Sequence, residues 1–205
     1  ETVARNPHHE EANVRIVVTG GESPNFLIPE DKPRLLVLVT ASIQIPPHYY
    51  THGVKAITEV SARYVPEAKT INYIQAVRAM RRAKAQDAAE VLYISTDGLA
   101  LEGTTTNVFG VYGQTLVTPK EGILPGITRK VVLSLLRENG YTVDERDVPL
   151  QELLRADEVF ITASNKQVMP VIQIDGARIA DGQPGAVTQQ VMALYKAYTH
   201  AAAWV

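Results

Sequence analysis

Cysteine is absent from the 205-residue chain, which excludes disulfides, thiolate metal sites and a cysteine nucleophile. That absence fits a reducing compartment, so a cytoplasmic location is expected. No apolar run approaches the roughly 18 residues of a membrane span, and no signal-peptide pattern is read at the start. No membrane partner is therefore expected. Nor does charge of one sign accumulate. Twenty Lys and Arg stand against 22 Asp and Glu, a net charge of −2, with no basic stripe and no acidic tail. Such a surface does not collect phosphate backbones, and no nucleic acid partner is expected. Histidine is sparse too: among the five, only the adjacent His8-His9 has a metal-like spacing. That pair sits in a polar stretch that reads as exposed, and no metal site is expected. The G-x-S-x-G elbow, the P-loop and the G-x-G-x-x-G fingerprint are also missing.

What is present suits a core. Hydrophobic residues make up 45% of the chain, enough for one domain, or one domain with a small lobe. The stretch Asp97 to Pro119 (DGLALEGTTTNVFGVYGQTLVTP) organises the rest. Asp97-Gly98 and Tyr112-Gly113 are turn signals, and TNVFGV between them reads as a buried strand. Glu102 and the hydroxyls of Thr104, Thr105 and Thr106 thus fall where the chain enters that strand. A buried carboxylate must be partnered, by protein or by something bound.

Along the chain, Val14–Gly20 and Arg34–Ser42 read as strands covered on both faces. IPPHYYTHG reads as a loop and GVKAITEVSARY as a further strand closed by Pro66. Residues 72–86 form a helix whose apolar face is Ile74, Val77, Met80 and Ala83 or Lys84. AEVLYIST is a strand. KEGILPGITRKVVLSLLRENG is a loop feeding a helix with Val131, Val132, Leu135 and Leu136 inward and Gly140 as its C-terminal cap. YTVDERDV and DEVFITAS are strands on either side of a short helix, LQELLRA. VMPVIQIDGARIA is a hairpin about Asp175-Gly176, and an amphipathic helix closes the chain. Strands outnumber helices and mix with them irregularly, which argues for an α+β fold.

Two junctions could carry chemistry. In ILPGITRK, a helix start after Pro125-Gly126 offers backbone N–H groups at Ile127 and Thr128, the Thr128 hydroxyl and the helix dipole to an anion. The turn Thr162-Ala163-Ser164-Asn165 could aim further donors. Both patterns also describe ordinary caps. Lys69 lies between a strand end and a helix start, where desolvation would lower its pKa and make it a nucleophile. Most lysines are instead solvated surface charges.

AKTINY, LEGTTTNVFGV, ILPGITRKVV and DEVFITAS…MPVIQIDG, in that order and spacing, resemble the fold-type IV pyridoxal-phosphate aminotransferases. This class holds D-amino-acid transaminases, branched-chain transaminases and aminodeoxychorismate lyases. The resemblance runs from about Val14 to Tyr195. It implies a two-lobed α+β fold, with pyridoxal 5'-phosphate bound by Lys69 as a Schiff base. Glu102 matches the carboxylate that pairs with the protonated pyridine nitrogen. Ile127 and Thr128 match the helix N-terminus that takes the cofactor phosphate, and Ala163 and Ser164 match the second phosphate turn. Thr104 to Asn107, including Thr106, matches the polar segment beside the cofactor, with Thr104 on the substrate side. Tyr73 matches a tyrosine near the cofactor oxygen in the branched-chain branch.

EGTTTNVFGV and PVIQIDG look like the D-amino-acid enzymes. That branch usually carries a carboxylate-gripping arginine where this chain has Thr19-Gly20-Gly21, and Arg15 is the replacement candidate. The implied reaction moves an amino group between a D-amino acid and a 2-oxo acid. Branched-chain L-transamination is the alternative, followed by a lyase or a non-catalytic relic. A phosphosugar- or nucleotide-binding domain using only the anion site would not need Lys69. The resemblance also implies a homodimer, a truncated small lobe in residues 1–50, a linker at 51–54 and a large lobe in 55–205. A chain starting partway through the small lobe would lack a phosphate-binding arginine and hold the cofactor weakly.

Overall fold

The computed structural model describes residues 1–6 and 11–201, and the His8-His9 pair lies outside them. The backbone divides into two compact units, Glu1–Ile45 and Pro46–Val205. The first is built on an antiparallel ribbon of β1 (Ala12–Thr19) and β2 (Arg34–Ala41), paired from Ala12 opposite Ala41 to Thr19 opposite Arg34. Its strands differ from the expectation of cover on both faces. Val14, Ile16, Val18 and Leu35 to Leu38 are exposed, because a two-stranded ribbon has no second layer of its own to bury them.

The second unit runs α1 (His48–Thr51), β3 (Val54–Val60), α2 (Ile74–Ala85), β4 (Glu90–Ile94), β5 (Leu99–Gly103), β6 (Asn107–Tyr112), β7 (Thr115–Thr118), α3 (Ile127–Glu138) and β8 (Thr142–Glu145). It continues with β9 (Val148–Pro149), α4 (Leu150–Leu153), β10 (Glu158–Ala163), β11 (Gln167–Ile174), β12 (Ala177–Arg178) and α5 (Ala186–Ala201). The expected loop IPPHYYTHG thus holds a single helical turn, α1, begun after Pro47, which suits a helix start.

One ten-stranded sheet takes the order β8-β7-β6-β10-β11-β3-β4-β5-β9, with β12 beside β11. Three pairs are parallel, β11 with β3, β3 with β4 and β7 with β8, and the rest antiparallel. Helices α2 and α3 are the crossovers that let β3 meet β4 and β7 meet β8 in parallel. The mixture is the expected α+β arrangement. Asp175 and Gly176 both have positive φ (49° and 85°), the geometry of a tight two-residue hairpin between β11 and β12.

Strand β4 is buried at every position. Phe109 and Phe160 stack with ring centroids 4.8 Å apart, at the heart of a core that α3 and α5 complete with Val132, Leu133, Leu136, Val191 and Tyr195. Helix α2 keeps part of its predicted face. Ala83 is fully buried and Met80 packs partly buried beside it, whereas Ile74 and Val77 are exposed and Ala79 is buried in their stead against Ile57, Val91 and Tyr93. Two alanines on one face let the helix axis approach the sheet closely. Among the described residues, no helix is long and apolar enough to cross a membrane.

Candidate active site

Four connections meet around one cavity of about 380 Å³ in the second unit: the segment between β3 and α2, the β5–β6 turn, the loop into α3 and the β10–β11 turn. Lys69 and Tyr73 line it from the first; Glu102, Thr104, Thr106 and Asn107 from the second. Ile127 and Thr128 come from the third, and Ala163 and Ser164 from the fourth. Every predicted site residue except Arg15 is therefore in this wall. Arg15 belongs to the first unit, on β1 opposite Leu38, with its side chain exposed.

Glu102 is 5% exposed and held by protein groups at both oxygens. Arg63 donates through Nε to Oε1 at 2.7 Å, and the Leu124 N–H donates to Oε2 at 2.9 Å. Of the two partners considered for this carboxylate, protein groups are present at both oxygens. A carboxylate keeps further lone pairs free after two bonds, so a third donor is still accommodated. Burial pushes the Glu102 carboxyl above its ordinary range, against the lowering influence of the Leu124 N–H, Arg63 and Lys69. Arg63 also donates to the carbonyls of Ala68 at 3.0 Å and of Pro66, and so ties the segment carrying Lys69 to Glu102.

The loop into α3 is fixed through Leu124. Its N–H is held by Glu102 and its carbonyl by Asn107 Nδ2 at 2.8 Å. Gly126 leaves no room for a side chain, since a Cβ there would overlap Asn107 Oδ1. Gly126 is extended and provides no side-chain cap for α3, so the first N–H groups of the helix receive no bond from their N-cap residue's side chain. Thr128 Oγ1 lies 3.4 Å from the Tyr195 hydroxyl. Across the cavity, Thr162 is 1% exposed and its Oγ1 has no hydrogen-bond partner among the described residues.

Lys69 is exposed rather than desolvated. The segment between β3 and α2 lies off the sheet with Tyr64, Glu67, Thr70 and Ile71 also exposed, so the junction alone does not dry the amine. The Thr104 hydroxyl is committed to Glu90 at 2.5 Å, and Thr105 is the exposed hydroxyl of its turn. Thr162, which opens the small-polar turn read from the sequence, lines the cavity, and so do Arg63 and Tyr93, which no sequence signal picked out. Strands and helices with charged or aromatic residues occur everywhere in the chain. Burial, then Glu90 and Glu102, pushes the Tyr93 phenol upward.

An amine, a carboxylate, a helix start and an orphaned hydroxyl share one cavity, the set of groups that an anionic, amine-reactive cofactor would require. The amino-transferase class IV profile matches residues 1–174. The chain belongs to the class IV aminotransferases, whose cofactor is pyridoxal phosphate. It is 40% identical over 155 residues to a D-alanine aminotransferase of Bacillus licheniformis, covering 74% of this chain and 54% of that protein. It is 35% identical over 196 residues to a Methanocaldococcus jannaschii protein provisionally named a branched-chain-amino-acid aminotransferase, covering 91% and 67%. A solved branched-chain amino acid aminotransferase from T.th., with pyridoxamine 5'-phosphate, superposes with a TM-score of 0.83 at 25% identity, covering 95% and 67%. The chain thus spans between about half and two thirds of the length of these relatives.

The residues present fit the cofactor. The N–H groups at Ile127 and Thr128, the Thr128 hydroxyl and the orphaned Thr162 Oγ1 suit a phosphate. Lys69 and Glu102 stand in the same wall.

Proposed function

We propose that the chain is the cofactor-binding part of a transaminase that moves an amino group between a D-amino acid and a 2-oxo acid such as 2-oxoglutarate or pyruvate. The observation that carries this reading is the shared wall of Lys69, Glu102 and the α3 N-terminus. When bound, pyridoxal phosphate supplies a carbonyl carbon for amines and an electron-withdrawing ring. Lys69 would hold it through Nζ and, once free, is the amine placed to take and return a proton. Glu102, kept in place by Arg63 and the Leu124 N–H, would hold a proton on the ring nitrogen. Ile127, Thr128, Ala163 and Ser164 would anchor the phosphate dianion, with Thr106, Asn107 and Tyr73 shaping the adjoining wall. Thr104 and Arg15 are assigned to the substrate side.

The D-specific reading draws support from the 40% identity with a D-alanine aminotransferase. A branched-chain L-specific reading is favoured by Arg15 on β1 and by the M. jannaschii relative. The working form is a cytoplasmic homodimer in which a second copy covers Ile74, Val77 and Ile127, apolar side chains left exposed at and near the cavity. Residues 1–50 are assigned to the small lobe, 51–54 to a linker and 55–205 to the large lobe.

The test is an absorbance scan with pyridoxal phosphate, before and after D- and L-amino acids are added separately. A visible-edge band that bleaches with D-alanine or D-glutamate supports the D reading. Bleaching with L-leucine or L-valine moves it to the branched-chain reading. No band, or a band that persists in Lys69→Ala, ends the transaminase reading.

A further inference from the structure

Glu90 and Lys166 hold no cofactor or substrate role above, yet they form a nearly dry ion pair. The Glu90 side chain is 0% exposed and that of Lys166 14%, with Nζ donating to Oε2 at 2.8 Å. Glu90 Oε1 accepts the Val91 N–H at 3.0 Å, the Thr104 N–H at 3.1 Å and the Thr104 hydroxyl at 2.5 Å. Oε2 also accepts the Thr106 hydroxyl at 3.1 Å. A carboxylate this deep persists only with a cation and several donors around it.

The partners come from two connections far apart in sequence. Thr104 and Thr106 belong to the β5–β6 turn and Lys166 to the β10–β11 turn, and both turns contribute to the cavity wall. Lys166 Nζ also reaches Thr105 Oγ1 at 3.5 Å, and its own carbonyl accepts the Tyr50 hydroxyl at 3.2 Å. Gly103 adds to the tightness, since a Cβ there would overlap the Thr106 hydroxyl.

We propose that Lys166 is a positioning residue: through Glu90 it locks the Thr104–Thr106 turn, with Thr104 on the substrate side, to the Ala163–Ser164 turn assigned to the phosphate, so that the two stand as one rigid wall. The coupling follows from the pair itself. Its effect on substrate rests on the transaminase reading.

Amide hydrogen exchange on the full chain tests the coupling. Lys166→Met should speed exchange in residues 103–106 as well as in 164–167 by about ten- to a hundredfold, the factor carried by a lost hydrogen bond to a charged group. Lys166→Arg, which keeps the cation, should restore protection in both. A lone buried carboxylate can unfold a chain, so Glu90→Gln/Lys166→Met, with no unpaired charge, carries the same test. Faster exchange confined to 164–167 would overturn the proposal. In the cofactor-loaded enzyme, Lys166→Met should raise KM for the amino acid about tenfold with kcat within about twofold, the split expected of lost substrate positioning. A fall in kcat at unchanged KM would overturn the positioning role. A wild-type chain that takes up no pyridoxal phosphate would retire the transaminase reading, while the exchange result would still decide the coupling.

Discussion

Glu102→Gln separates what the carboxylate does for the fold from what it does for turnover. The side chain accepts one bond from Arg63 Nε at 2.7 Å and one from the Leu124 N–H at 2.9 Å. An amide keeps the shape and one acceptor but loses the charge, and it turns a donor toward one of these donors. A hydrogen bond to a charged group contributes about 1.5–3 kcal/mol. Part of that loss is offset, because burial already disfavours the charged form of Glu102. A net cost of about 1 kcal/mol is expected, which lowers the melting temperature of a chain this size by about 2–4 °C. Turnover should fall far more, by about 10²–10³, the loss typical when a fixed electrostatic partner of the reacting system is removed. The assay pairs a thermal melt with an absorbance-monitored half-reaction on D-alanine and D-glutamate at saturating pyridoxal phosphate. Cofactor attachment at Lys69 should survive. A half-reaction rate within about threefold of wild type would refute the role assigned to Glu102, since that change is under 1 kcal/mol of barrier.

Arg63→Met removes a hydrogen bond and a charge that both lower the Glu102 pKa, so that pKa should rise further. The acid limb of kcat/KM should move to higher pH, less so in Arg63→Lys; an unmoved limb would exclude Glu102 as the group that must be ionised. The stability sign follows: a carboxyl raised in the fold stabilises below its unfolded pKa, and that contribution is lost as pH rises through the folded value, so Arg63→Met should lose more stability on alkalinisation than wild type. Gly126→Ala places a methyl on Asn107 Oδ1 and should cost about 1–3 kcal/mol as an overpacked contact. Adding Asn107→Ala removes the clash, so denaturant melts of the pair should show less than the sum of the two single losses.

The strands were legible because their residues announce themselves. Glu90–Ile94 and Glu158–Ala163 are short apolar runs bounded by turns, and both are buried strands. The face of α2 was legible in part: Met80 and Ala83 pack inward as read, but Ile74 and Val77 outweigh Ala79 on any hydrophobic scale, and close packing on the sheet selected the alanine. At the site, the motif residues around Lys69, Glu102 and Thr128 were visible as local patterns. Arg63 and Glu90 were not, because each acts across tens of residues, Arg63 on Glu102 and Glu90 on Lys166. Spacing along a chain carries no trace of such partners. The same holds for Glu102 itself: its sequence said that a partner was needed, and only the fold says that Arg63 and Leu124 provide one.

The strand order has a consequence for the chain as it is made. Strand β3 is paired with β11 on one side, and β6 with β10, so the middle of the sheet waits for residues 158–174. Until they leave the ribosome, β3 and β6 each present an open edge, the state in which a nascent chain is most prone to wrong partners. Pairing over such long separations is also slow. The hairpin that fills this gap, β10–β11, carries Ala163 at the end of β10 and Ser164 in its turn. Closing the middle of the sheet and completing this part of the cavity wall are thus one event, and uptake of the cofactor would report that residues 158–174 have been inserted.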